Sequence, residues 1–284
     1  MDALGTDACV SLTLRSRPET LRLVRTMLSG FADAVSLDPE LLDDLKTAVS
    51  EACNNVVLHA YGDSDDGALE VSVHVDEDYL LVEVRDDGVG IDELRLLDDA
   101  QVGLGIPVIR ALAARTQLRR RESGGTEIAM HFLASRDGAR LYSLPGAIAA
   151  DDDFAAGLSG DAVASVSPPP VVGAVLGRLA RALAATAHFS LDRFSDVYLV
   201  TDALADEVGE LSVDGRLSFA LVTGAKRLEL TVGPLRPGSG MRLRSVAREH
   251  GSLSPLELLS DELRTHAVNG GSEVLQLVML DRRA

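Results

Sequence analysis

The chain has 284 residues, 46% hydrophobic and 25% charged, with 44 acidic against 27 basic side chains and a formal net charge of −17 at pH 7. That profile fits a globular protein long enough for two ordinary domains, and its negative charge speaks against nonspecific binding to nucleic acid or an anionic membrane. There is no secretory leader pattern and no apolar run near the roughly 20 residues of a membrane span; Cys9 and Cys53 have no metal-like spacing, so a reducing cytoplasm is expected.

In chain order, residues 9–14 (C-V-S-L-T-L) predict a short strand. Pro18 predicts the start of a helix, with Leu21, Val24, Leu28 and Phe31 at helical spacing. Asp38-Pro39, an N-cap followed by proline in the first turn, predicts a second helix with an apolar stripe through Leu41, Leu45, Ala48, Ala52 and Val56. Leu69, Val71, Val73 and Val75 alternate with polar residues, and Leu80, Val82 and Val84 do so again after a turn at 76–79, which predicts a hairpin. Residues 105–114 predict a third helix and 127–133 a closing strand, with Ile128, Met130 and Phe132 on one side. Helices on one face of a mostly antiparallel sheet make an α+β two-layer sandwich.

Residues 136–159 carry Ala, Gly and Asp, Pro145 and the acidic run Asp151–Asp153 without a convincing period. They predict a linker between domains at 1–135 and 160–284. The alternative is a short strand at 139–144 that extends the first sheet. The pattern then returns. D-A-V-A-S-V-S-P-P-P at 161–170 echoes D-A-C-V-S-L-T-L-R-S-R-P at 7–18, and F-S-L-D at 189–192 echoes V-S-L-D at 35–38. L-V-T-D-A-L-A-D-E-V at 199–208 lies over A-V-S-E-A-C-N-N-V-V at 48–57, placing Asp202 at Glu51 and Asp206 at Asn55. Strand patterns at 217–222 and 228–232 follow, and N-G-G-S-E-V-L-Q-L at 269–277 parallels S-G-G-T-E-I-A-M-H at 123–131. Five echoes in one order predict a tandem duplicated domain; two unrelated α+β halves are the competing reading.

Four segments of the first half carry chemistry: E-A-C-N-N-V-V-L-H-A-Y from Glu51, R-D-D-G-V-G-I at 85–91, G-L-G-I at 103–106 and G-G-T at 124–126. Glu51, Asn55 and His59 are four residues apart and share one helix face. A carboxylate and a carboxamide beside an apolar stripe are costly to bury without a task. The Asn55 oxygen suits Mg²⁺, and Glu51 can accept a proton from an attacking hydroxyl or water. The plainer reading is a polar face meeting solvent. Asp86 ends a strand ahead of Gly88 and Gly90, where a carboxylate can accept from the amine of adenine and the glycines let backbone approach a flat base; alone, it reads as an Asp-Gly turn. Gly103-Leu104-Gly105 leads into a helix whose first N–H groups can meet phosphate oxygens, and Thr126 offers a hydroxyl nearby.

Together these segments resemble the GHKL ATPases, the fold of histidine kinases and gyrase-type ATPases, and most closely the anti-sigma factor serine/threonine kinases. The resemblance covers roughly residues 8–133. It implies ATP and Mg²⁺ as cofactors, with Glu51 as catalytic base, Asn55 as Mg²⁺ ligand and Asp86 as adenine reader. Gly88, Gly90, Gly103, Leu104 and Gly105 then shape the lid and phosphate loop, and Thr126 contacts the nucleotide. It further implies a regulator that holds a sigma factor and phosphorylates an anti-sigma factor antagonist protein, with no nucleic acid or membrane partner. The working form is a homodimer or, through the internal repeat, a monomeric pseudo-dimer. Alternatives are a partner-sequestering ATP-binding protein without catalysis, or a GHKL ATPase of another branch. One departure stands out: Gln101-Val102 lies where several relatives carry an arginine that approaches the phosphates. In the second half, Gly233-Pro234 and Arg236-Pro237 replace D-x-G-x-G, so residues 160–284 are expected to form a degenerate copy without an intact nucleotide site.

Overall fold

A computed structural model describes residues 9–61, 67–76, 79–90, 105–122, 124–133, 152–245, 254–268 and 271–282. The chain divides into two compact units, Met1–Ala147 and Ile148–Ala284.

The first unit runs β1 (Val10–Arg15), a 3-10 turn at Pro18–Thr20, α1 (Leu21–Val35), α2 (Pro39–His59), β2 (Ala68–Val75) and β3 (Tyr79–Asp86). It continues with α3 (Gly105–Leu112), β4 (Arg115–Arg120) and β5 (Thr126–Leu133). Its strands pair antiparallel in the order β1-β2-β3-β5-β4. Alternation decides the faces. Val10, Leu12 and Leu14, Leu69, Val71 and Val73, Leu80, Val82 and Val84, and Ile128, Met130 and Phe132 are all buried. Against them lie Val24, Met27, Leu28 and Phe31 of α1 and Leu45, Ala48, Val49, Ala52, Cys53 and Val56 of α2. α1 ends at Ser36, held at φ 53°. The Asp38 carboxylate then accepts the backbone N–H groups of Glu40 and Leu41 at 3.0 and 3.1 Å, capping α2 as its sequence predicts.

The opposite sheet face is ionic. Arg85 bonds Glu127 at 2.9 Å and Glu83 at 2.7 Å, and reaches Glu70 at 3.6 Å. His74 lies 3.0 Å from Glu83. Burial pulls the Glu83 carboxyl up, but the His74 hydrogen bond and the Arg85 charge outweigh it and leave the group below the usual carboxylate range.

The second unit runs α4 (Asp152–Ala156), β6 (Ala162–Val166), α5 (Pro169–Thr186), α6 (Leu191–Leu211), β7 (Leu217–Gly224) and β8 (Arg227–Leu235). Then come α7 (Ser239–Ser245), α8 (Pro255–Leu259), β9 (Glu262–Ala267) and β10 (Glu273–Leu280). Its strand order, β6-β7-β8-β10-β9, takes the strands in the same succession as the first unit: first, second, third, fifth, fourth. α5 is followed by His188 at φ 58°, as α1 is by Ser36 at φ 53°. α2 and α6 each have 21 residues.

Three features differ from the sequence expectation. The fourth and ninth strands are additions, because R-T-Q-L-R-R and E-L-R-T-H-A at the sheet edges bury no apolar side chain completely. The predicted linker contains α4, and the alternative strand at 139–144 lies outside the described residues. The helical register of the second unit is also shifted by one residue. Leu45, Ala48, Val49 and Ala52 of α2 find their buried counterparts in Val197, Val200, Thr201 and Leu204 of α6. Since successive residues turn by about 100°, matching the buried faces pairs Ala203 with Glu51 and Glu207 with Asn55, whereas the sequence echo pairs Asp202 and Asp206 with them.

Candidate functional site: one helix and two loops

α2 carries the first half of the site. Its amphipathic pattern buries Ala48, Ala52 and Val56 and leaves Glu51 and Asn55 half-buried on an adjoining strip. α3 packs on that strip. A methyl group on Gly105, the first residue of α3, would lie 3.2 Å from Glu51 Oε2 and 3.4 Å from both Oδ1 and Nδ2 of Asn55. The carboxylate, the carboxamide and the start of α3 therefore converge. His59, the third residue of the strip, is exposed. Cys53 lies inward and buried, and burial pushes its thiol up, so it is a core side chain rather than a nucleophile.

The second half lies where β3 ends. Asp86 is 3% exposed, which for a carboxylate demands partners. Its Oδ1 accepts the Gly88 backbone N–H at 2.8 Å, and both the backbone and the hydroxyl of Thr126 bond to it. Burial still holds the Asp86 carboxyl above the usual range; those bonds offset it only in part, and the Asp87 charge adds to the shift. Val89 N–H donates to the Ala60 carbonyl at 2.9 Å, docking this loop on the end of α2. The approach is close: a Cβ on Gly88 would lie 2.1 Å from that same carbonyl oxygen. Gly90 follows at φ 75°, and Gly125 stands against the Asp86 carbonyl at φ 78°. Gly103 and Leu104, and with them Gln101-Val102, lie outside the described residues.

Two supports were not predicted. The Tyr61 hydroxyl donates to the Ala68 carbonyl and accepts the Asp87 N–H at 2.9 Å. Arg121 bonds the Asp86 carbonyl at 3.0 Å and the Asp87 carboxylate at 2.5 Å. The triple arginine 119–121 just ahead of Gly124-Gly125 was the available signal for the second.

The donor set has a definite chemical range. A buried carboxylate with one face committed to Gly88 and Thr126 can read an amine, and Glu51 with Asn55 offers a base and a hard oxygen beside a helix start. Among the described residues no group of three or more His, Cys, Asp and Glu side chains gathers as for a protein-caged metal. Mg²⁺ usually takes one or two protein oxygens and keeps several waters, so Asn55 fits that ion.

Residues 14–132 match the histidine kinase-like ATPase domain. The chain is 31% identical over 143 residues to the serine-protein kinase RsbW of Bacillus pumilus, covering 45% of this chain and 87% of that one. The chain belongs to the histidine kinase-like ATPase family. Within that family it is similar to the anti-sigma F factor of Clostridium novyi, 28% identical over 124 residues, covering 40% of this chain and 87% of that one. The serine-protein kinase RsbW of Listeria innocua is 42% identical over 83 residues, which cover 29% of this chain and 53% of that relative. The chain thus spans about half the length of the Listeria relative. The match to the ATPase domain lies within the first unit and includes Glu51, Asn55, Asp86, Gly105 and Thr126. No helix among the described residues is long and apolar enough to cross a membrane.

Proposed function

We propose that this protein binds ATP in its first unit, phosphorylates a serine or threonine of a small antagonist protein, and holds a sigma factor inactive when the antagonist is not engaged. The observation that carries the reading is the convergence of Glu51 and Asn55 on Gly105 at the start of α3. Asp86 accepts from the adenine amine. Asn55 holds Mg²⁺, which neutralises charge on the phosphates when bound. Glu51 takes the proton of the attacking hydroxyl. The names of the Bacillus, Listeria and Clostridium relatives support this assignment of activity and partners. We place the protein in the cytoplasm.

The second unit is, in this proposal, a degenerate copy of the first. The shared strand succession, the equal lengths of α2 and α6 and the left-handed residues at Ser36 and His188 support a duplication. In one chain the pair makes a monomeric pseudo-dimer, and a tight homodimer through the first units, seen by ultracentrifugation, contradicts that assignment.

Incubation with γ-labelled ATP, Mg²⁺ and an antagonist-type protein tests the activity. Label on a serine or threonine of the partner, lost in Glu51→Ala, supports the kinase. ATP binding with no label supports a sequestering protein, a reading favoured by Gln101-Val102 in place of a cation.

A further inference from the structure

The second unit matches the first strand by strand, so the fate of each site position can be followed. In β3, Leu80, Val82 and Val84 are buried and the next residue on that face is Asp86. In β8, Leu228, Leu230 and Val232 are buried in the same sequence, pairing with β7 as β3 pairs with β2; a bulge then follows, and Leu235, not Pro234, stands opposite Glu273 where Asp86 ends β3. Neither leucine nor the proline before it can accept a hydrogen bond through its side chain. At the end of the sheet, Ile128, Met130 and Phe132 of β5 correspond to Leu275, Leu277 and Met279 of β10, and this brings Glu273 to the place of Thr126. On the helix, Glu207 takes the place of Asn55.

The connection between the third strand and the helix ahead of the edge strand is also shared. In the first unit it is residues 87–104, before α3; in the second it is 236–254, of nearly equal length, before α8. α8 packs on α6 as α3 packs on α2. The connection of the second unit contains a G-x-G, Gly238-Ser239-Gly240, at the start of α7. Both glycine N–H groups are already taken: Gly238 N donates to Glu273 Oε1 and Gly240 N to Glu273 Oε2, each at 2.8 Å. α7 is tied a second time through Arg242, whose guanidinium reaches Glu207 at 3.3 Å and also pairs with Glu210. Behind it, a Cβ on Gly240 would lie 2.3 Å from Thr265 Oγ1 of β9, so the start of α7 is seated on the sheet edge.

We propose that the second unit is self-liganded: the Glu273 carboxylate stands in for an anionic ligand on the Gly238-Ser239-Gly240 backbone, and with Arg242–Glu207 it holds α7 closed without nucleotide. This rests on the reading of the unit as a degenerate copy. The unit takes no ATP, and its α7 surface stays the same in every nucleotide state of the first unit. An anion arriving at these amides has to displace a tethered carboxylate whose effective concentration is that of an intramolecular group. It also meets the negative charge of Glu273 itself.

Amide hydrogen exchange on the full chain tests this, read at Gly238, Gly240 and Arg242, whose N–H groups bond Glu273, Glu273 and the Gly238 carbonyl. In the wild type these amides are protected without nucleotide and unchanged by saturating ATP and Mg²⁺. Glu273→Gln, which keeps the side-chain shape but loses one acceptor oxygen and the charge, raises their exchange about tenfold or more and leaves ATP affinity unchanged. Should that variant fail to fold, Arg242→Met cuts the other tether and predicts the same local acceleration. Unchanged exchange in the folded variant overturns the proposal, as does ATP-dependent protection of these amides in an Asp86→Asn chain. A wild type that binds no ATP at all defeats the kinase reading instead and leaves the Glu273 result standing.

Discussion

Asp86 Oδ1 accepts the Gly88 backbone N–H at 2.8 Å, so the residue assigned to read the base also shapes the loop that lets the base approach. The bond turns the chain at the end of β3 and leaves Val89 N–H to dock on the Ala60 carbonyl at 2.9 Å. In the proposed function, recognition and loop geometry are coupled through one carboxylate, and most of the expected behaviour of the site follows from that coupling.

The first consequence is sensitivity to acid. Burial holds the Asp86 carboxyl above the usual range. Its raised folded pKa means that Asp86 protonates at a higher pH than it would in the unfolded chain, and the proposed acceptor for the adenine amine is lost as pH falls through that raised value. ATP affinity therefore drops on acidification with a midpoint above the ordinary aspartate value of about 3.9. Isothermal titration across a pH series measures it, and a midpoint at or below that value contradicts the burial argument.

Gly88→Ala places a methyl carbon against the Ala60 carbonyl, 2.1 Å away before relaxation. Relief requires the loop to lift from α2, at a cost of about 1–3 kcal/mol for an overpacked contact. Thermal melts should show the loss, and nucleotide affinity should fall with it. A variant that melts and binds like the wild type shows that the loop is free of α2.

Arg85 is the hub of the ionic sheet face, within bonding distance of two carboxylates whose side chains are each 8% exposed. Arg85→Met leaves Glu83 and Glu127 without it and costs the first unit about 3 kcal/mol by denaturant titration. Glu83 is held below the usual range, so its contribution is present above the unfolded pKa of about 4.3 and is lost as pH falls through the lower folded value. The wild type thus loses stability on acidification below that point, and the variant shows a flatter curve.

Glu51→Ala separates binding from chemistry. The side chain is assigned to proton transfer rather than to affinity, so ATP binding stays within a few-fold while phosphotransfer to the partner falls by about 10²- to 10⁴-fold. Equal loss of both assigns Glu51 to nucleotide binding.

Much of this site was legible in the sequence because its residues lie on regular elements. The four-residue spacing of Glu51 and Asn55 is a helix face, and Asp38-Pro39 marks where that helix begins. The alternation through Leu80, Val82 and Val84 fixes on which face Asp86 emerges. The edge strands were not legible: Arg115–Arg120 and Glu262–Ala267 have one neighbour each and little to bury, so alternation carries no signal there. The pairing of the two long helices differs between letters and burial. The echo of 199–208 on 48–57 pairs Asp202 with Glu51 and Asp206 with Asn55, whereas the buried side chains Val197, Val200, Thr201 and Leu204 set the face of α6 and pair Ala203 and Glu207 with them. Gly238-Ser239-Gly240 was passed over in the same way. Its meaning lies in Glu273, 35 residues from Gly238 along the chain.

The central claim is a single adenine nucleotide pocket in the first unit, read by Asp86. Calorimetric titration of ATP into the full wild-type chain and into Asp86→Asn tests it most directly. The expected result is one site per chain in the wild type and a loss of about tenfold to a hundredfold in affinity in the variant, the value of a hydrogen bond to a charged group. Retained affinity in a folded Asp86→Asn chain contradicts the assignment of the pocket itself.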